Sequence, residues 1–341
     1  MSITVPVGPR PPAQHGVPAL SGPDWAQASA TRIRSALRRA LNLPCGGWFA
    51  LAPSRSLGEG PHKLRVAGRT LVAFRDGGEL RIGFDECPHL GASLSEGRVC
   101  DGKVVCPWHG LALGKAKHGA WQLLPSYDDG VIAWVRLDPL FRSDALSARP
   151  YMAARPQVYL DAVVGMEVAC DPCDVLANRL DPWHGAHFHP QAFAKLKVTE
   201  VTDEQLRVRV QFRLLGPLTI EVDATFHCPD PRTIVMTIVD GEGRGSVVET
   251  HATPLSPGKT LVLEATLASS PRSGFRHALV LSRAIRPLIA RTARGLWVED
   301  AAYCERLYAL RSGALTTSIP IAVSSELTEL KPRKSLSAQL R

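Results

Sequence analysis

Two short segments hold the most reactive side chains in the first half of the chain: Cys87-Pro88-His89-Leu90-Gly91 and Cys106-Pro107-Trp108-His109-Gly110. Each joins one thiolate donor to one imidazole, and each ends on glycine. Two thiolates and two imidazoles can hold zinc in a tetrahedron, although zinc sites more often draw a pair from Cys-x-x-Cys. Between them the sequence reads as a β-hairpin, Gly97 to Val105, turning at Asp101-Gly102 and setting the two segments side by side. A second group lies further on: Asn178, Asp181, His184, His187 and His189. Two histidines with one carboxylate commonly hold non-haem iron(II) on one face, leaving other positions open. Taken alone, a histidine-rich helix end reads equally well as a surface cluster.

Two sulfurs on one iron and two nitrogens on the other are what a Rieske [2Fe–2S] centre requires. The sequence resembles the Rieske family at all four positions, Cys87, His89, Cys106 and His109. Respiratory-type members carry an extra disulfide-forming cysteine in each loop. Here Ala92 and Trp108 stand at those positions, so the loops resemble the oxygenase branch. The pattern Asn-x-x-Asp-x-x-His-x4-His, on Asn178, Asp181, His184 and His189, is similar to the mononuclear iron site of Rieske non-haem iron oxygenases. That resemblance implies iron held by His184, His189 and a carboxylate from a late helix. Asp300, in Trp297-Val298-Glu299-Asp300, is the choice, with Glu299 and Glu305 as alternatives and His187 as an alternative histidine. The resemblance further implies that Asp181 is no ligand but links His184 to His109 of the partner subunit, and that Asn178 lies near the iron.

By the same resemblance the chain is expected to be a ring-hydroxylating-type oxygenase α subunit of the shorter, homotrimeric monooxygenase and demethylase group. It would use dioxygen, and electrons from NAD(P)H through a separate reductase or ferredoxin. The reaction would hydroxylate, demethylate or desaturate a small apolar substrate of aromatic, terpenoid or polycyclic type. The alternative is a Rieske electron carrier fused to a domain that binds an apolar ligand.

Placing these residues takes two units. Residues 1–44 read as a proline-rich arm and a helix over Trp25–Leu43. Residues 45–138 read as the all-β Rieske unit, with runs such as Thr70–Phe74 and a turn at Asp76-Gly77-Gly78. Residues 150–313 read as the catalytic domain. It opens with a strand over 157–170 and a helix over 174–186. Strands are then expected at Lys197–Val210, Gln211–Phe226, Thr233–Asp240, Ser246–Thr253 and Thr260–Ala268, and a helical pattern from Phe275 to Arg311 in two pieces around Gly295. Successive strands without intervening helices predict an antiparallel sheet. The expected fold class is α+β, the sheet flanked by helices in a helix-grip, START-like arrangement. Residues 314–341 read as a loose tail.

Composition removes other classes. The 341 residues are 45% hydrophobic and 21% charged, which is ordinary for a globular protein. No run approaches the ~18–20 apolar residues of a membrane span, and no signal-peptide core begins the chain. With eight cysteines and no export signal, a reducing, cytoplasmic location is expected. The net charge of +8 comes mainly from scattered arginines without interleaved aromatics, so nucleic acid is not expected as a partner. Cys170 and Cys173 have redox spacing but no second pair, and read as structural. Arg276, Arg283, Arg286, Arg291 and Arg294 read as a solvated helix face, the alternative being a face toward a membrane or an acidic ferredoxin. No glycine-rich phosphate loop follows a strand, so flavin or nicotinamide binding is expected on another protein.

Overall fold

The computed structural model describes residues 27–137, 147–215, 218–316 and 318. The expected arm over 1–24, most of the linker and most of the tail lie outside the described residues. Helix α1 (Ala30–Leu41) starts later than its pattern predicts. The Ser29 hydroxyl accepts the Arg32 N–H at 3.3 Å and caps it. Its Ile33, Leu37 and Ala40 are buried in the large core of the second unit.

The first unit is built from three small antiparallel sheets. One orders β1 (Trp48–Pro53), β9 (Ile132–Arg136) and β8 (Ser126–Asp128). The second is β2 (His62–Val66), β3 (Arg69–Asp76) and β4 (Glu79–Phe84). The third, β5 (Arg98–Cys100), β6 (Lys103–Val105) and β7 (Ala112–Leu113), contains the expected hairpin. Its turn runs through Asp101 and Gly102, both at positive φ. Val72, Phe74, Leu94, Val104, Leu113 and Trp121 form a core that also includes Cys87 and Cys106.

The second unit is one seven-stranded antiparallel sheet, so the chain is α+β as expected. Its order is β10 (Leu160–Val168), β16 (Lys259–Ala268), β15 (Val247–Ser256), β14 (Thr233–Gly241), β13 (Leu218–Asp230), β12 (Leu206–Leu215) and β11 (Phe193–Val201). The strand predicted over Lys197–Val210 is broken in two. The Thr202 hydroxyl accepts the N–H groups of Glu204 and Gln205 at 3.3 and 3.1 Å, and makes a turn there.

Val208, Val210, Val222 and Ala224 of the sheet share a core with α1, α2 (Pro172–Arg179) and α5 (Ser282–Ser312). The helix predicted over 174–186 is instead α2 and the short α3 (His184–Phe188), separated by Leu180-Asp181-Pro182-Trp183. Pro182 lacks the N–H that would continue the helix. The late helix breaks at Leu281, after α4 (Phe275–Val280), and not at Gly295. Ala293 and Trp297, on either side of Gly295, are buried, and packing outweighs glycine's cost of about 1 kcal/mol.

A buried clamp ties the two units. The Arg155 guanidinium bonds Glu249 of β15 at 2.7 Å and Asp129 of the first unit at 3.1 Å. Trp134 of β9 donates to the same Asp129 at 2.9 Å. Burial alone would push the Glu249 carboxyl up, but Arg155 and His251 outweigh it and hold the pKa at about 2. Trp48, Ile132 and Trp134 pack with Val235, Val247 and Leu263 across the same junction.

Candidate active site: a cysteine–histidine tip and a buried histidine–aspartate cluster

The loops before β5 and before β7 repeat one construction. The Cys87 N–H bonds the Ala92 carbonyl at 2.8 Å, and the Gly91 N–H bonds the Cys87 carbonyl at 2.8 Å. In the other loop the Cys106 N–H bonds the Leu111 carbonyl at 2.9 Å, and the Gly110 N–H bonds the Cys106 carbonyl at 3.1 Å. Gly91 and Gly110 close these loops at φ +78° and +74°, a conformation that L side chains rarely adopt. Both cysteines are buried, while His89 and His109 are exposed. The imidazole Nδ1 atoms face each other at 3.2 Å. Backbone N–H groups of His89 and Leu90 point at the Cys87 sulfur, and those of Trp108 and His109 at the Cys106 sulfur. Burial opposes thiolate at Cys106, but those two amides hold its pKa below the usual thiol value. Two converging sulfurs and two converging nitrogens suit a mixed-ligand cluster. Leu90 and Trp108 stand exposed beside the histidines.

The second constellation is assembled from α2, α3 and α5. The Asp300 carboxylate places Oδ1 at 3.0 Å from each of three nitrogens: His184 Nε2, His189 Nε2 and Asn178 Nδ2. His184, His189 and Asp300 can each offer one donor atom within 4.8 Å of the others, a set that could hold one metal ion. Asn178, His189 and Asp300 are buried. Burial would raise the Asp300 pKa, but hydrogen bonds from the two imidazoles hold it well below the usual carboxylate range. At His189, burial opposes the charged form, and Asp300 and Glu299 outweigh it to raise the pKa. An ion bound between these groups would replace the proton, since metals take neutral imidazole and ionised carboxylate.

Both imidazoles are braced from behind. His184 Nδ1 donates to the backbone carbonyl of Asp181, and His189 Nδ1 donates to the Glu299 carboxylate. Glu299 also accepts from Gln191 Nε2 at 2.9 Å. Such bonds fix the tautomer and turn Nε2 toward the metal position. The Asp181 carboxylate itself lies 4.0 Å from His184 Nδ1, beyond hydrogen-bond reach. Tyr303 donates to its Oδ2 at 3.4 Å, while its buried Oδ1 has no partner among the described residues. Burial raises the Asp181 pKa against the pull of His184, Arg32 and Tyr303. A buried carboxylate oxygen without a partner is costly unless something outside the chain supplies one.

The comparisons with known proteins show the same division. The family model described as a domain of unknown function (DUF5914) matches residues 142–315, and the model of the Rieske [2Fe-2S] domain matches residues 47–135. The chain belongs to the DUF5914 family. Joined to its Rieske domain, this DUF5914 chain is similar to the chloroacetanilide N-alkylformylase oxygenase component of Rhizorhabdus wittichii. The two are 30% identical over 164 residues, covering 43% of this chain and 47% of that protein. It is also similar to chlorophyllide a oxygenase of Chlamydomonas reinhardtii, at 29% identity over 208 residues, 54% of this chain and 31% of that one. The alignment thus spans less than half the length of either relative. Among solved structures, dicamba monooxygenase bound to dicamba superposes with a TM-score of 0.61 at 18% identity, covering 84% of this chain and 96% of that one, a likeness of fold. The likeness to Rieske oxygenases is one of sequence over part of the chain and of fold over 84% of it.

Within this DUF5914 chain the alternative ligands fall away from the cluster. His187 is exposed and packs edge-on against Trp183. Glu305 accepts the Ala169 N–H at 3.1 Å, at the end of β10. Glu299, an alternative ligand in the sequence reading, does not join the Asp300 group but accepts from one of its histidines. The adjacent Glu-Asp pair was the available signal, because neighbours on a helix point about 100° apart and can serve different atoms of one site. The free, buried thiol of Cys170 hydrogen-bonds that of Cys304 on α5.

Proposed function

We propose that this chain is the oxygenase component of a Rieske-type system, with a Rieske unit over 45–138 and a catalytic unit over 150–313. Cys87, His89, Cys106 and His109 hold the [2Fe–2S] cluster, and His184, His189 and Asp300 hold a mononuclear iron(II). The observation that carries this reading is the single Asp300 oxygen ringed by two braced imidazoles and Asn178 in a buried pocket. A pure electron carrier has no use for it. When bound, the cluster passes electrons singly and the mononuclear iron activates dioxygen. The chain's own contribution is geometry. Glu299 and the Asp181 carbonyl orient the imidazoles, Asn178 donates to Asp300, and burial keeps water from the site.

The unpaired Asp181 oxygen and the exposed His89–His109 tip support a homotrimeric ring in which Asp181 meets His109 of the partner subunit. A head-to-tail interface closes into such a ring. Electrons come from NAD(P)H through a separate reductase or ferredoxin. The substrate is a small apolar molecule, and the reaction is hydroxylation, demethylation or desaturation. Dealkylating and demethylating relatives, among them vanillate O-demethylase and methylxanthine N3-demethylase, support the demethylation branch of this reading. Iron analysis tests the core of it: about three irons per chain, two of them in the cluster. His184→Ala should lose only the mononuclear iron. Two irons in the wild type, or three in His184→Ala, would refute the assignment.

A further inference from the structure

Between Glu264 and Glu299 the chain contains no acidic residue, yet it carries Arg272, Arg276, Arg283, Arg286, Arg291 and Arg294. Three of these arginines are engaged. Arg272 pairs with Glu242 at 2.5 Å, Arg286 with Asp161 at 3.0 Å, and Arg294 donates to the Gly165 carbonyl at 3.4 Å. Arg276, Arg283 and Arg291 are exposed and have no partner among the described residues.

The same stretch holds an unusual share of exposed aliphatic surface. Val280 is 82% exposed, Leu281 59%, Leu288 64% and Val298 60%. At 100° per residue, Ala284, Leu288, Arg291 and Val298 fall in one stripe of α5 about 80° wide, with Leu281 just before its first residue. Ala293, Trp297, Asp300 and Cys304 fall on the opposite side and are buried. An outward stripe that is aliphatic, flanked by bare arginines and free of acids has the pattern of a helix lying in a membrane interface. Arginine suits that place because its stem can lie along apolar surface while the guanidinium reaches phosphate.

We propose that the α4–α5 corner docks on an anionic membrane surface. Val280, Leu281 and Leu288 enter the acyl boundary, and Arg276, Arg283 and Arg291 meet lipid phosphates. A second copy of this chain, at net charge +8, is a poor counter-charge for three bare arginines. An electron-donating protein has to reach the exposed His89–His109 tip, which belongs to a different sheet system from α4 and α5. The docking does not depend on the oxygenase reading and is measured without turnover.

The test is co-sedimentation of the iron-loaded full chain with phosphatidylcholine vesicles, with and without phosphatidylglycerol. The wild type should sediment only with the anionic vesicles and should release as salt is raised. Each arginine near an anionic surface strengthens partitioning roughly fivefold, so Arg276→Gln, Arg283→Gln and Arg291→Gln together should weaken binding roughly hundredfold. Val280→Ser, Leu281→Ser and Leu288→Ser together should also release the protein, with the cluster absorbance unchanged as the check on folding. Absence of anionic-vesicle binding, or an arginine variant that binds like wild type, overturns the proposal. A serine variant that instead dissociates the oligomer in vesicle-free solution assigns the face to a second copy. A glutamine variant that loses reduction by an acidic ferredoxin but keeps vesicle binding assigns it to that partner. Either outcome also overturns the proposal.

Discussion

Glu299 offers a sharp test of how the candidate iron site is held. Its carboxylate accepts from His189 Nδ1, and Gln191 steadies it from the far side at 2.9 Å. Glu299→Gln keeps an acceptor for the His189 N–H but removes the negative charge, whereas Glu299→Ala removes both. Losing an outer carboxylate from a metal-bound histidine typically costs ~10–100-fold in metal affinity or activity. The Glu299 side chain is 38% exposed, so solvent screens part of its charge and water can replace part of its hydrogen bonding. The glutamine variant should therefore fall at the low end, ~10-fold weaker in iron(II) affinity, and the alanine variant nearer ~100-fold. The assay is competition with a ferrous chelator, reading mononuclear iron against cluster absorbance, which counts folded protein in the same sample. Asp300→Ala is the reference for complete loss. If Glu299→Ala holds iron as tightly as wild type while Asp300→Ala does not, the bracing role of Glu299 is refuted.

Cys106→Ser should abolish the Rieske absorption and electron-spin signal yet leave the second unit folded, since that unit has its own core; an unchanged spectrum would contradict the cluster assignment. Asp181→Asn should leave both metal centres loaded but slow reduction of the mononuclear iron by a pre-reduced cluster by ~10–100-fold, and equal single-turnover rates would remove the bridge. The Glu249 clamp makes a pH prediction. Its folded pKa, about 2, lies below the ordinary glutamate value, so its stabilisation is complete above that ordinary value and is lost as pH falls toward 2. That contribution is about 3 kcal/mol. In Glu249→Gln the slope of unfolding free energy between about pH 4.5 and 2 should flatten relative to wild type, measured by denaturant titration at several pH values. An unaltered slope would mean that Glu249 does not carry it.

What the sequence discloses depends on how local the constraint is. The two cluster loops are written in adjacent residues, because each needs a cysteine, a histidine and a glycine within five positions. The turn at Asp101-Gly102 is equally local. Asp300 was reachable only through family resemblance, since nothing near it in sequence specifies that α5 meets α2 and α3. The Glu299-Asp300 pair is visible in the sequence, but which of the two reaches which histidine nitrogen depends on the rotation of α5, set by burial of Trp297 and Cys304. The same competition misplaced the helix break. Glycine at 295 is a weak breaker beside the buried Ala293 and Trp297. The turn at Thr202 failed for the opposite reason, because a side-chain hydrogen bond interrupts an otherwise continuous strand pattern.

The clamp at Arg155 has a mechanical consequence. Domains joined in one chain move relative to each other by default, unless the junction is large and apolar. Here the junction has buried ion pairs and a shared tryptophan-rich core. The Arg155 clamp and that core therefore oppose a swing of one unit against the other, which would have to part the ion pairs and open the apolar packing. Under the proposed function, internal electron relay becomes fixed wiring whose missing segment arrives only with another subunit. Such a circuit is indifferent to solvent viscosity, which slows hinges, and sensitive to dilution, which opens it.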